Sequence, residues 1–444
     1  MNNGLFLPVE VLKREYVGKL CLAVEMAARG MPVFFGHKRR VIDLALQARE
    51  PGLLFYKDAG QDFDFGEKLK EKGFGLIAQD EEAGIIFGDY AEFYKTRSSL
   101  NNIPNLDRFL CWGQDDYEFL KKQFERDKSC RIVNTGSVRT VVWGDYGRRY
   151  FAEEIERIRS KYGRFVIFVT NFKTANSFLP KEQFLEMRAR GRIIVSSYEA
   201  AVERDKRLME LVIRAAKRIV AESDLSVVVR PHPEEAPATW RKQFANYRKV
   251  GVEPDGDLIP WALASECVLQ NSCTSGLQAV ASGVPMYAFG QEEDDFKDIR
   301  SIPNELSERL TGEDEVVSKL CRAKPFAIPG EESAMLLERK IKGAGTLGPL
   351  NATVDEILDV CGTPNNNGNI DLGKDSWIYD AKEIYRTSRF KKRSLGTILD
   401  QGKRQTIKKR SIRRDVNRFL EVLGHDVHID VERVGPNVYC LRRS

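Results

Sequence analysis

Val227-Val228-Val229-Arg230-Pro231-His232-Pro233-Glu234-Glu235 and Asn271-Ser272-Cys273-Thr274-Ser275-Gly276 decide the fold of this chain. In the first stretch a β-branched run ends abruptly at a proline-bracketed histidine. The second follows the apolar run Cys267-Val268-Leu269-Gln270 and leads into an apolar helical pattern. Short apolar runs closed by polar turns are the signature of buried strands in a parallel sheet. In an open sheet of that kind both turns lie at the carboxyl edge, where ligands bind. Unpaired N–H groups and the helix dipole at Thr274, Ser275 and Gly276 favour an anion there. A histidine beside a cluster of hydroxyls and amides suits a ligand that carries phosphate.

Working outward, the same alternation of strand and helix runs along most of the chain. Leu5–Val9, Pro32–Gly36, Gly52–Tyr56, Gly75–Ala78, Arg108–Trp112 and Ile132–Gly136 read as one series of strands. Arg164–Thr170, Val227–Arg230, Cys267–Gln270 and Pro285–Phe289 read as a second. Strands separated by helices imply α/β domains with parallel sheets. The expected division is a Rossmann-like domain over 1–150 and another over 151–330. A linker or returning segment follows over 331–375, and a small basic module over 376–444. The linker is marked by Gly343–Pro349 and Gly362–Gly368, and the module ends in a strand pair around Gly435-Pro436-Asn437.

Bulk properties narrow the class. The chain has 444 residues, 42% of them hydrophobic, enough to bury two cores. No apolar run is long enough to span a bilayer, and Met1–Glu10 lacks the pattern of a signal peptide, so a cytoplasmic protein is expected. Eight scattered cysteines without a CxxC pair fit reduced thiols rather than a disulfide or zinc framework. The four histidines include no HExxH spacing, so no metal is expected. The net charge of +5 is concentrated in the tail: thirteen basic residues between Tyr385 and Phe419 face only Asp400 and Asp415. Such a run is either a solvated face or an attraction for an anionic membrane surface. No aromatic-interleaved groove supports nucleic acid.

With those residues in view, the arrangement of Arg230-Pro231-His232-Pro233, Asn271–Gly276 and Gly283-Val284-Pro285 resembles the second half of GT-B nucleotide-sugar glycosyltransferases. More narrowly, the chain resembles the bacterial surface carbohydrate biosynthesis proteins over roughly Leu5 to Gly290. The matching residues include Arg14-Glu15, Ala27–Gly30, Trp112-Gly113-Gln114, Thr135-Gly136 with Arg139, Thr170-Asn171-Phe172, Trp240, Pro260-Trp261 and Cys273-Thr274-Ser275. The resemblance implies a GT-B fold, two Rossmann-like domains facing across a cleft, with 1–150 serving the acceptor. It also implies transfer of a sugar, an ulosonic acid from a CMP-linked donor, onto a surface polysaccharide or lipid-linked glycan. Polyol-phosphate transfer from CDP-glycerol and UDP-sugar epimerisation are the alternatives on that architecture; a non-catalytic assembly scaffold is the third.

On this reading the nucleotide-binding residues are Asn171, Arg230, His232, Glu234, Asn271, Thr274, Ser275, Gly276 and Gln278. His232 and the Thr274/Ser275 turn hold the donor phosphate without a metal, and no tightly bound cofactor is needed. Capsule-type transferases carry an aspartate after the first strand of the second domain. Asn171–Ser177 contains no acid, which leaves Glu199, Asp115 and Asp116 as candidate catalytic carboxylates beside His232, with Glu10 and Glu15 also within reach of the first strand.

Overall fold

The computed structural model describes residues 4–60, 63–85, 90–97, 100–127, 129–177, 181–182, 185–186, 198–271, 273, 276–291, 302–322, 330–362, 407 and 409–444. The chain divides into two compact units, Met1–Tyr150 with Glu338–Ser444, and Phe151–Leu337.

In the first unit six strands run parallel: β1 (Leu5–Val9), β2 (Val33–His37), β3 (Leu53–Tyr56), β4 (Gly75–Ala78), β5 (Arg108–Cys111) and β6 (Arg131–Asn134), in the order β2-β1-β3-β4-β5-β6. β1, β2 and β3 are apolar along almost their whole length, as strands covered on both faces must be. The helix Leu12–Ala28 buries nearly every residue from Gly18 onward. A Cβ on Gly18 would lie 2.5 Å from the Arg139 Cα, so only glycine permits this approach.

The sheet continues past β2. A C-terminal hairpin, β13 (Ile429–Gly435) and β14 (Val438–Arg443), adds antiparallel to β2, pairing Val438 with Gly36 and Leu441 with Val33. Its turn places Asn437 at φ 55°, and the His37 N–H donates to the Asn437 carbonyl at 2.9 Å. The helix Lys409–Leu423 turns Ile412, Val416 and Phe419 inward; Phe419 stacks on Tyr150 at 4.3 Å. Tyr16 donates to Asp415 at 2.9 Å, and His425 Nε2 lies 2.7 Å from Glu25. Upstream, the helix Gly348–Cys361 buries Leu350, Val354 and Ile357, and its Glu356 accepts from Arg108 at 2.9 Å. The described part of the tail is therefore built into the first unit's sheet and core. In 409–444 it differs in this from the expected appended module, because strand alternation reports a strand without reporting which sheet receives it. Seven of the eight cysteines are buried.

In the second unit all six strands are parallel: β7 (Phe165–Val169), β8 (Ser226–Arg230), β9 (Val250–Val252), β10 (Cys267–Gln270), β11 (Met286–Gly290) and β12 (Glu308–Thr311), in the order β12-β11-β10-β7-β8-β9. The chain leaves β7 towards one edge and, after β9, returns on its other side as β10. That reversal makes the carboxyl ends of β7 and β10 a topological switch point, the usual ligand crevice of a doubly wound sheet. The helix Tyr198–Glu222 is amphipathic, and Leu208, Leu211, Val212, Ala215 and Ile219 pack with Val166, Phe168, Val227 and Leu269. Each of these leucine, isoleucine, valine and phenylalanine side chains contributes roughly 1.5–3 kcal/mol on burial, so the sheet is a rigid platform for the turns at its edge.

Candidate functional site

Three neighbouring strands of the second unit, β10, β7 and β8, end in polar turns that are stitched together. Asn271 is buried after β10, and its Oδ1 accepts from the Asn171 N–H after β7 at 3.0 Å. Gln270 accepts from the Cys273 N–H at 3.0 Å and donates to Asn304 at 3.0 Å and Ser307 at 3.1 Å. Between β7 and β8, the Thr170 N–H donates to the Arg230 carbonyl at 3.1 Å. Two amide oxygens at this edge, Asn171 Oδ1 and Gln278 Oε1, are buried without a donor among the described residues. They suit a ligand that brings O–H or N–H groups.

His232 sits half-buried in the turn after β8. The Glu234 N–H donates to its Nδ1 at 3.1 Å, which leaves the ring proton on Nε2. Burial and the nearby Lys173 ammonium push its pKa down to about 4. At neutral pH His232 is therefore a neutral imidazole, a directional hydrogen-bond donor rather than a cation.

Glu235 is the centre of the arrangement. It is 2% exposed and accepts from Thr170 Oγ1 at 2.8 Å and from the N–H groups of Phe172 and His232 at 3.1 Å each. Trp240 Nε1 at 2.9 Å and Asn176 Nδ2 at 3.3 Å complete the set.

The other expected binding residues are dispersed. Arg230 is buried; its guanidinium donates to the Asp255 carbonyl and, at 2.9 Å, to the Gly256 carbonyl, and it lies 5.3 Å from the Trp261 ring centroid. Burial lowers its pKa to about 10. The alternation of β8 turns this side chain onto the β9 loop, away from the His232 turn. Glu234 is partly exposed, with Lys173 at 4.0 Å. Gly276 opens a six-residue helix, and a Cβ there would lie 2.7 Å from Met286 Sδ. Thr274 and Ser275 lie outside the described residues. Glu199 is exposed on the first turn of the helix Tyr198–Glu222.

The candidate carboxylates of the first unit divide sharply. Asp116 is fully buried and accepts from Tyr94 OH at 2.5 Å and the Trp112 N–H at 3.1 Å, and burial pushes its pKa up to about 6. It is a core carboxyl out of reach of a substrate. Asp115 is paired with Arg339 and, at 2.7 Å, with Lys340; burial opposes ionisation but these cations hold its pKa below the ordinary value.

A denser charged group occupies the carboxyl edge of the first unit's central strands. Glu10 follows β1, Lys38 follows β2, and Lys57 and Asp58 follow β3. Glu10 pairs with Lys57 and, at 3.3 Å, with Lys38. Deeper in, the Lys19 ammonium donates to the Pro8 carbonyl and to Glu15 at 2.9 Å each, and pairs with Glu81 at 2.9 Å. Arg14 pairs with Glu82. Only Glu10, Arg14 and Glu15 were legible beforehand. The available signal was that consecutive strands each run directly into a charged residue.

No protein-family model matches the chain, and no curated protein sequence matches it. Among solved structures it is similar to a UDP-N-acetylglucosamine 2-epimerase, at 13% identity and a TM-score of 0.50, over 80% of this chain and 95% of that one. The chain has a GT-B-like fold. It is also similar to the UDP-GlcNAc 2-epimerase of Methanocaldococcus jannaschii (10% identity, TM-score 0.43, 78% of this chain and 82% of that one). The wall teichoic acid polymerase TagF, solved with CDPG, gives 11% identity and a TM-score of 0.36 over 77% and 73%. At 13% identity the first of these likenesses speaks for the fold alone. No described helix is long and apolar enough to cross a membrane.

Proposed function

We propose that this chain is an enzyme acting on a nucleotide sugar, with a UDP-sugar as the first candidate and glycosyl transfer or epimerisation as the reaction. The observation that carries the proposal is the neutral His232 in the turn after β8, beside the switch point of β7 and β10, its Nε2–H free of any described partner and two donor-seeking amide oxygens at the same sheet edge. A leaving nucleotide gathers negative charge on phosphate, and a preorganised donor in a partly dry site stabilises that charge without a metal. Asn171 and Gln278 supply acceptors for ribose or sugar hydroxyls. Either reaction also needs an acid or base.

UDP stands ahead of CMP because a solved structure similar to this chain at a TM-score of 0.50 is a UDP-N-acetylglucosamine 2-epimerase. Thermal melting with UDP, CDP, CMP and GDP tests this. A ligand at a hundred times its Kd adds about 2.7 kcal/mol of stability. The largest shift is expected with UDP. A preference for CMP returns the ulosonic-acid transferase reading, and CDP the polyol-phosphate reading. No shift with any nucleotide removes the proposal and leaves the scaffold reading.

We also propose that the acceptor is presented at an anionic membrane. Lys409, Arg410, Arg413 and Arg414 lie within one arc of the helix Lys409–Leu423, all exposed, while the opposite face is buried. Basic residues near such a surface contribute about 1 kcal/mol each at low salt. Deleting 376–444 would strip two strands from the first unit's sheet, so charge reversal is the cleaner test. Arg410→Glu with Arg413→Glu is expected to reduce co-sedimentation with phosphatidylglycerol vesicles at least about tenfold, with neutral vesicles unaffected. Equal sedimentation of the variant and the parent protein counts against a membrane role.

A further inference from the structure

Glu235 is a buried carboxylate with no cation paired to it among the described residues; five hydrogen-bond donors surround it instead. An ion taken out of water is tolerated only when fixed dipoles replace its hydration, and charge-assisted hydrogen bonds are the strong ones. The donors come from three places in the chain. Thr170, Phe172 and Asn176 belong to the turn after β7, His232 to the turn after β8, and Trp240 to the helix Pro237–Gln243. The Glu235 N–H also donates back to the His232 carbonyl at 2.8 Å, and the Ala236 N–H to the Asn176 carbonyl at 2.8 Å. The two turns joined in this way are those that carry Asn171 and His232.

We propose that Glu235 is a positioning residue: it locks the turns after β7 and β8 so that His232 and Asn171 present themselves to the ligand, which Glu235 never touches. The inference rests on reading this edge as the nucleotide site. A carboxylate is required rather than any polar group of that shape. Oε1 faces three donors and Oε2 faces two. A carboxamide has one acceptor oxygen, so whichever way glutamine is turned its NH2 meets two or three N–H or O–H groups. Glu235→Gln thus preserves volume while breaking the lock.

The test uses the full chain labelled with 15N-histidine, with UDP as the ligand. In the parent protein the His232 ring should show the Nε2–H tautomer, with a titration midpoint well below 6.5, Lys173 being the charged group that acts on it. In Glu235→Gln the turn loosens and admits water. The tautomer signal is then expected to become mixed and the midpoint to rise by about one pH unit or more, while UDP affinity falls roughly ten- to a hundredfold. Trp240→Phe removes only an Oε2 donor and should leave the His232 signals and UDP affinity within about twofold, whatever it does to stability. An unchanged His232 tautomer, midpoint and affinity in Glu235→Gln overturns the proposal. Should Glu235→Gln not fold, Thr170→Val removes one Oε1 donor, and an unmoved His232 midpoint in that variant overturns it equally. If the parent protein does not bind UDP, the nucleotide reading fails, yet the His232 signals of the ligand-free protein still decide the role of Glu235.

Discussion

Replacing His232 by alanine is expected to weaken nucleotide binding about ten- to a thousandfold, the range for losing one preorganised donor to developing or resident phosphate charge. The fold should survive, because the ring is half-buried and packs into a turn held by Glu235 and two prolines rather than into the core. His232→Gln, which restores an N–H donor of similar reach, should recover part of the affinity. The pH dependence carries a second signature. Burial and Lys173 lower the His232 pKa to about 4, so the imidazole is neutral throughout the range from pH 6 to 8. Affinity for UDP should therefore not fall between pH 6 and 8 as it would if an imidazolium were holding the phosphate. Between pH 4 and 6.5 the unfolded chain binds the extra proton, so stability rises with pH across that window and is lost as the solution is acidified. Titration calorimetry with UDP at pH 6, 7 and 8 checks the first point, and urea denaturation between pH 4 and 6.5 the second. A His232→Ala protein that binds UDP as tightly as its parent removes this residue from the site.

Much of the fold was legible because its strands are apolar from end to end. β1, β7 and β8 read directly from runs such as Phe165–Val169, where no helix period competes. The strands that escaped notice are the weak ones: β9 has three residues, and β12, Glu308-Arg309-Leu310-Thr311, is a polar edge strand with one buried side chain. The tail hairpin was recognisable as a strand pair but not as part of the first sheet. Its place follows from β2 having an edge to cover, a property of the assembled sheet. At the candidate site, His232 drew notice because two prolines pin it to a strand end. Glu235 was missed because its donors Thr170, Phe172 and Asn176 lie about sixty residues away in the chain and converge only on folding. Asp116 shows the converse. As an acid after a Trp-Gly-Gln strand end it looked available, but its carboxylate turns back onto the Trp112 N–H and caps the turn from inside.

Lys19→Ala is expected to be the most destabilising single substitution considered. The Lys19 ammonium is buried between Glu15, whose side chain is fully covered, and Glu81. Removing it leaves the Glu15 carboxylate with the N–H groups of Glu10 and Val11, and with Arg14 at 3.7 Å as its nearest remaining cation. Breaking a buried pair from one side costs about 3–5 kcal/mol, since the surviving charge stays desolvated. For a unit of this size that corresponds to a fall of roughly 6–20 °C in Tm. Burial favours the protonated form of Glu15, but Lys19, the Glu10 N–H and Arg14 outweigh it and hold the pKa below its ordinary 4.5. The contribution of Glu15 is therefore present above pH 4.5 and lost as pH falls through the folded value. Lys19 itself is shifted upward: burial opposes this, and the two carboxylates prevail. Its contribution is complete at neutral pH and disappears only in strong alkali. Without Lys19, burial meets less opposition from the remaining N–H groups and Arg14 and the Glu15 pKa rises, so acidification lets the variant neutralise the stranded charge. The difference in unfolding free energy between parent and variant should thus shrink from pH 7 to pH 5. Urea denaturation at the two pH values measures it. A loss under about 1 kcal/mol at pH 7, typical of a solvent-screened pair, or a difference that does not change with pH, would mean that the network is far wetter than its burial indicates.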